Sequence, residues 1–113
     1  MNLVIVGLGY VGLPLAYEAC MSRMAVVGVD TSPELVASLN AGTSHIDDLA
    51  APDVVAMLDA GFEATTESSP IAEAEVIVIC VPTPLSTDGL PDLDSVLDAT
   101  RAIAEHLQAG SLV

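Results

Sequence analysis

The chain has 113 residues, of which 52% are hydrophobic and only 3% aromatic, and it sets sixteen Asp and Glu against two Arg and no Lys, for a net charge of −14. That length suits one domain with one core and is short for a complete two-domain enzyme. The charge excludes nucleic acid and anionic membrane as partners, no apolar run is long enough to span a bilayer, and the N-terminus lacks the basic region of a secretory leader. Cys20 and Cys80 each lie in an apolar pattern without zinc or C-x-x-C spacing, so both read as small buried hydrophobes in a reducing, cytoplasmic setting.

Residues 2 to 7 form an unbroken Leu-Val-Ile-Val run, which predicts a strand buried on both faces. A helix is expected from Tyr10 or Val11 to about Ser22, with Pro14 tolerated in its first turn, where no N–H is needed. Ala25 to Val29 read as the second strand, ending at Asp30. Ser32-Pro33-Glu34 starts a helix, with Ser32 as cap, and Gly42 stops it. Thr43 to Ala51 lose periodicity and give an acidic loop with His45, Asp47 and Asp48. Pro52 to Ala60 predict a short helix closed by Gly61, and Phe62 to Thr66 a modest third strand. Ser69-Pro70 repeats the capping device for one turn. Val76 to Val81 is a second wholly apolar run, expected in the middle of the sheet beside the first strand and ended by Pro82-Thr83-Pro84. Asp92 is placed to cap a helix from Leu93 to about Leu107, Gly110 ends it, and Ser111 to Val113 look like the opening of a fifth strand. We expect residues 1–113 to be a single domain, cut from a longer protein just after that opening.

Strands alternating with helices across short connections imply an α/β fold: a doubly wound parallel sheet, order 3-2-1-4-5, with right-handed crossovers. Its ligand crevice is expected where the order reverses, at the carboxyl ends of strands one and four. Two turns lie there. The first is Gly7-Leu8-Gly9-Tyr10-Val11-Gly12, a G-x-G-x-x-G joining a strand to a helix. Gly7 permits the tight turn, Gly9 lets backbone approach a pyrophosphate, Gly12 allows close packing of helix on strand, and the helix N-terminus offers unpaired N–H groups. Asp30, about twenty residues on, is placed to accept from both hydroxyls of an adenosine ribose, and its charge opposes a 2′-phosphate, so the cofactor expected is NAD rather than NADP. The second turn is Val81-Pro82-Thr83-Pro84, whose Thr83 hydroxyl could face the nicotinamide half or serve only the turn. His45 and His106 have no Ser, Cys or paired-ligand pattern around them and read as surface or satisfied residues. The carboxylates between residues 47 and 75 read as a solvated face. There is no nucleophile with a base, so this stretch supports binding without a complete catalytic apparatus.

Gly7-Leu8-Gly9-Tyr10-Val11-Gly12-Leu13-Pro14, Val27-Gly28-Val29-Asp30, Val81-Pro82-Thr83-Pro84 and Pro91-Asp92-Leu93 together resemble the N-terminal NAD-binding domain of the UDP-glucose/GDP-mannose dehydrogenase family. Ser44-His45-Ile46-Asp47-Asp48 is more similar to the branch acting on UDP-N-acetylhexosamines. The resemblance implies an enzyme that oxidises the C6 alcohol of a UDP-sugar to a carboxylate in two NAD-dependent steps, within polysaccharide biosynthesis, as a homodimer or larger assembly. It implies backbone N–H groups of Tyr10 and Val11 at the pyrophosphate, Asp30 at the ribose and Thr83 on the nicotinamide side. The family's catalytic cysteine and lysine, its dimer helix and its sugar-binding domain match nothing here: neither Cys20 nor Cys80 fits that cysteine motif, and no residue near Leu35 supplies the basic group that often follows the ribose acid. Two other readings stay open on the residues alone, a stand-alone nucleotide-binding module and the cofactor domain of a related β-hydroxyacid dehydrogenase.

Overall fold

The computed structural model describes residues 1–113. In chain order it contains β1 (Asn2–Val6), α1 (Gly12–Met21), β2 (Ala25–Val29), α2 (Pro33–Asn40), α3 (Ala51–Asp59), β3 (Glu63–Thr65), a 3₁₀ turn (Ser69–Glu73), β4 (Val76–Ile79) and α4 (Asp94–His106). The strands form one parallel sheet in the order β3-β2-β1-β4. Leu112 pairs in parallel with Val76 across the outer edge of β4, its carbonyl accepting from Ile77 N at 2.8 Å, so the chain reaches the fifth position of the expected order.

β1 is central, and its alternation divides the core in two. Leu3 and Ile5 pack with Leu8, Leu13, Val26, Leu39 and Met57 on the face covered by α1, α2 and α3. Val4 and Val6 pack with Val29, Ile71, Ile77, Ala99 and Ile103 on the face covered by α4 and the 3₁₀ turn. A strand buried on both faces must be apolar at every position, which is why its sequence shows no alternation. The chain builds β1, β2 and β3 to one side and crosses back to lay β4 on the other, and this reversal opens a crevice between the carboxyl ends of β1 and β4.

Several boundaries differ from expectation. β4 stops at Ile79 rather than Val81, although Cys80 N still donates to Val6 O at 2.7 Å. The reason is its neighbour: Gly7, at φ +98°, turns the chain out of the ladder, so β1 has nothing further to pair with. Ile77 alone of the β4 residues is fully buried, because Leu112 offers only one bridge of cover outside. Ser69 is the first residue of the 3₁₀ turn, not its cap, and no hydroxyl caps that turn. Leu93 rather than Asp92 flanks α4, but Asp92 Oδ1 still accepts from Asp94 N at 3.0 Å, one position further out than a cap. Ser32 does cap α2, accepting from Leu35 N at 3.2 Å, and α1 begins at Gly12 with Pro14 in its first turn.

Candidate functional site

At the crevice lies a cleft of about 700 Å³, within the size range of small-molecule and cofactor sites. A smaller hollow of about 210 Å³ lies at the opposite, amino ends of β1 and β2. The cleft is lined by Gly7, Gly9, Tyr10, Val11, Asp30, Val81, Pro82 and Thr83, so eight of the nine expected site residues come together. Gly12 lies beneath it instead: a Cβ there would sit 1.8 Å from Gly7 O. Its part is to let α1 start directly against the turn.

Gly7 is constrained twice, since its φ of +98° disfavours any side chain and a Cβ would meet Cys80 O at 2.6 Å. Its N–H donates to Val29 O at 2.7 Å, which ties the turn to β2. Gly9 is different. A Cβ there would meet nothing within 4 Å, so the glycine leaves open space over its backbone. Beyond it, the N–H groups of Gly9, Tyr10, Val11 and Gly12 find no acceptor within the protein, as the unpaired first turn of a helix requires. Three of these donors, those of Gly9, Tyr10 and Val11, thus border the cleft at the positive end of α1, where an anion is the complementary ligand. The side chains of Tyr10 and Val11 point outward, 72% and 70% exposed.

Asp30 is not a free strand-end carboxylate. Oδ2 accepts from Leu8 N at 2.9 Å and Oδ1 from Ser32 N at 3.0 Å, so the group clasps the glycine turn to the β2–α2 connection. Each oxygen keeps a further lone pair for a ligand hydroxyl. Thr83 is exposed on the far wall, in the stretch that follows β4. Cys80 lines the cleft half-buried and Cys20 lies buried in the α1 layer; both are free, and burial pushes both thiols above their ordinary range.

Sequence reasoning missed two contributions. His45 Nε2 lies 2.7 Å from Leu8 O, so this loop histidine reaches the glycine turn and lines the cleft. Nothing in its spacing signalled this, because the loop has no periodicity and the contact spans thirty-seven positions. Ser95, Asp98, Ala99 and Ala102 of α4 supply another part of the lining; their i, i+3, i+4, i+7 spacing marks one helix face, but only the sheet order shows that it meets the crevice.

A parallel sheet with its crevice at the strand-order reversal, a glycine turn with four unpaired amides and an acid after the second strand define a dinucleotide-binding domain of Rossmann type. The sequence profile of the UDP-glucose/GDP-mannose dehydrogenase family, NAD binding domain, matches residues 1–113, and the chain belongs to that family. It is 39% identical over 110 residues to UDP-N-acetyl-D-mannosamine dehydrogenase of Salmonella typhi, covering 96% of this chain and 26% of that one. It is 40% identical to NDP-N-acetyl-D-galactosaminuronic acid dehydrogenase of Ralstonia nicotianae, over 96% of this chain and 26% of the relative. Its fold superposes on UDP-D-ManNAc dehydrogenase from Pyrococcus horikoshii with a TM-score of 0.93 at 36% identity, covering all of this chain and 27% of that one. The chain thus spans about a quarter of the length of the relatives it matches. The residues present fit the family's NAD: open space over Gly9, four unpaired amides and a carboxylate with lone pairs to spare.

Proposed function

We propose that residues 1–113 are the cofactor domain of a nucleotide-sugar 6-dehydrogenase, holding the NAD that accepts hydride as the C6 alcohol of a UDP-sugar is oxidised to a carboxylate. The observation that carries this reading is the convergence, in one cleft, of the unpaired Gly9, Tyr10 and Val11 amides with the Asp30 carboxylate. In this reading the Gly9, Tyr10 and Val11 amides hold the diphosphate, Gly7 and Gly12 shape the turn, and Asp30 accepts from the adenosine ribose. Val81, Pro82 and Thr83 flank the nicotinamide half. Because both Asp30 oxygens already accept backbone N–H groups, the carboxylate is fixed before a ligand arrives, and its negative charge stands against a 2′-phosphate.

The amino-sugar branch is the better substrate class, since relatives from Salmonella typhi and Ralstonia nicotianae are named for N-acetylated sugars and match nearly the whole chain. A cytoplasmic place in polysaccharide biosynthesis and assembly as a dimer or larger go with that reading. Titration calorimetry of NAD and NADP against the chain is the test. Binding of NAD with NADP at least tenfold weaker supports the reading; equal or preferential binding of NADP overturns the role of Asp30, and a folded chain blind to millimolar NAD overturns the whole.

A further inference from the structure

The residue at the centre of the glycine turn is held from three directions. Leu8 N–H donates to Asp30 Oδ2 at 2.9 Å, the Leu8 side chain is fully buried, and Leu8 O meets His45 Nε2 at 2.7 Å. A carbonyl oxygen only accepts, so Nε2 carries the proton and donates. The Leu8–Gly9 peptide is trans, and in a planar trans peptide the carbonyl and the following N–H point in opposite directions. Drawing Leu8 O towards His45 therefore fixes the direction of the Gly9 N–H, the first of the three unpaired donors that border the cleft.

The loop that carries His45 is itself anchored. Ile46 and Leu49 are buried in the layer beneath α1, and Ser44 Oγ exchanges hydrogen bonds with Ile46, accepting from its N–H at 3.3 Å and donating to its carbonyl at 3.0 Å. The histidine thus hangs from a packed segment, although that segment contains neither helix nor strand. The His45 side chain is itself exposed, so it is the anchored backbone on either side that limits the rotamer entropy such a bond would otherwise cost.

Resting on the cofactor reading above, we propose that His45 is a positioning residue for the phosphate cradle: by holding the Leu8 carbonyl it presets the Leu8–Gly9 peptide so that the Gly9 amide meets the dinucleotide's diphosphate without rearrangement. The acidic loop, which reads in sequence as a solvated connection, then forms part of the cofactor machinery through one hydrogen bond. Preorganised donors raise affinity because their ordering cost is met in folding rather than in binding.

Two amide variants separate this role from direct contact. His45→Gln puts a side-chain N–H about as far out as Nε2, while His45→Asn mimics only the nearer Nδ1. NAD, ADP-ribose and adenosine are titrated against wild type, His45→Ala, His45→Asn and His45→Gln by calorimetry and amide NMR, with the Gly9 amide shift read in each ligand-free protein. Losing one hydrogen bond of ordinary strength predicts about fivefold weaker NAD and ADP-ribose binding in His45→Ala and His45→Asn. Adenosine, which lacks the diphosphate, keeps its affinity, the Gly9 amide shifts, and His45→Gln restores both. The inference is overturned if His45→Ala binds NAD as wild type does. Retention by His45→Asn with loss in His45→Gln also overturns it, as that pattern means that Nδ1 touches the ligand. So does an equal loss for adenosine, which reports general loosening. Failure of wild type itself to bind NAD while folded removes the cofactor reading, and this inference with it.

Discussion

Gly28 in β2 offers a quantitative check on how tightly the glycine turn is packed. A methyl group there would lie 2.7 Å from both terminal carbons of Leu8 and 3.0 Å from Cζ of Phe62. Leu8 is 0% and Phe62 4% exposed, so neither has solvent to retreat into. Gly28→Ala must therefore overpack the layer, at a cost of about 1–3 kcal/mol. Leu8→Ala errs in the opposite sense, leaving a cavity at a cost of about 3–5 kcal/mol. Combined, the added methyl fills space that the leucine vacates, so the double variant should fall short of additivity by about 1–2 kcal/mol. Equilibrium unfolding in urea on the four proteins measures this directly, provided the slope with denaturant stays constant across them. The set is practicable because a domain of this size has roughly 5–15 kcal/mol in hand. Additivity within about 0.5 kcal/mol, or a neutral Gly28→Ala, would refute the packing argument.

Other consequences follow from single contacts. Asn40 covers the outer edge of β3 by donating from Nδ2 to Ala64 O at 2.8 Å and accepting from Ala64 N at 3.1 Å, as a neighbouring strand would. Asn40→Ala should cost about 2 kcal/mol, two hydrogen bonds of ordinary net strength, and speed amide exchange at Ala64 specifically. Arg23 closes α1 at φ 66°, a conformation that an L side chain takes at some cost, so Arg23→Gly should raise the melting temperature. Burial raises the Cys20 and Cys80 thiols, which means that the folded state favours the neutral form. The stability this confers is present below the ordinary thiol range and is lost as pH rises through it, because the unfolded chain ionises first. Alkylation followed by mass spectrometry should accordingly find both thiols slower than in unfolded chain at neutral pH, with Cys20 the slower and Cys80 protected by NAD.

What could be read in sequence was whatever local chemistry enforces. The two-sided burial of β1 appears as an unbroken apolar run, the start of α2 as Ser32-Pro33-Glu34, and the turn as three glycines each with its own steric reason. Non-local features were less visible. The length of β4 depends on where Gly7 peels β1 away, so Val76 to Val81 read two residues too long. Asp30 could be read as an acid ending the second strand, but its two backbone bonds, to Leu8 and Ser32, require the folded turn. His45 was set aside because its partner is a backbone carbonyl, and backbone carries no sequence signature.

One global property bears on the cleft in a way that no single contact reveals. The chain carries a charge of −14, whereas the proposed ligand is also an anion, and the amides that would hold its diphosphate bring no cation to it. Asp30 and Asp98 both line the cleft, and Arg101, 3.3 Å from Asp98, stands in an exposed pair. Binding must therefore proceed against the mean field. Spread over a sphere of about 18 Å radius, consistent with a radius of gyration of 13.9 Å, the charge repels a unit anion at the surface by roughly 3 kcal/mol in water without salt. Screening lowers that figure to about 2 kcal/mol at 10 mM salt and about 1 kcal/mol at 100 mM. NAD should thus bind about fivefold more tightly at the higher ionic strength, the reverse of what a cationic pocket shows. Calorimetry in potassium fluoride reads this cleanly, since that strongly hydrated anion competes poorly for amide donors. A dissociation constant that rises with salt would mean that a basic side chain meets the phosphates, and the backbone cradle would then not be what holds the ligand.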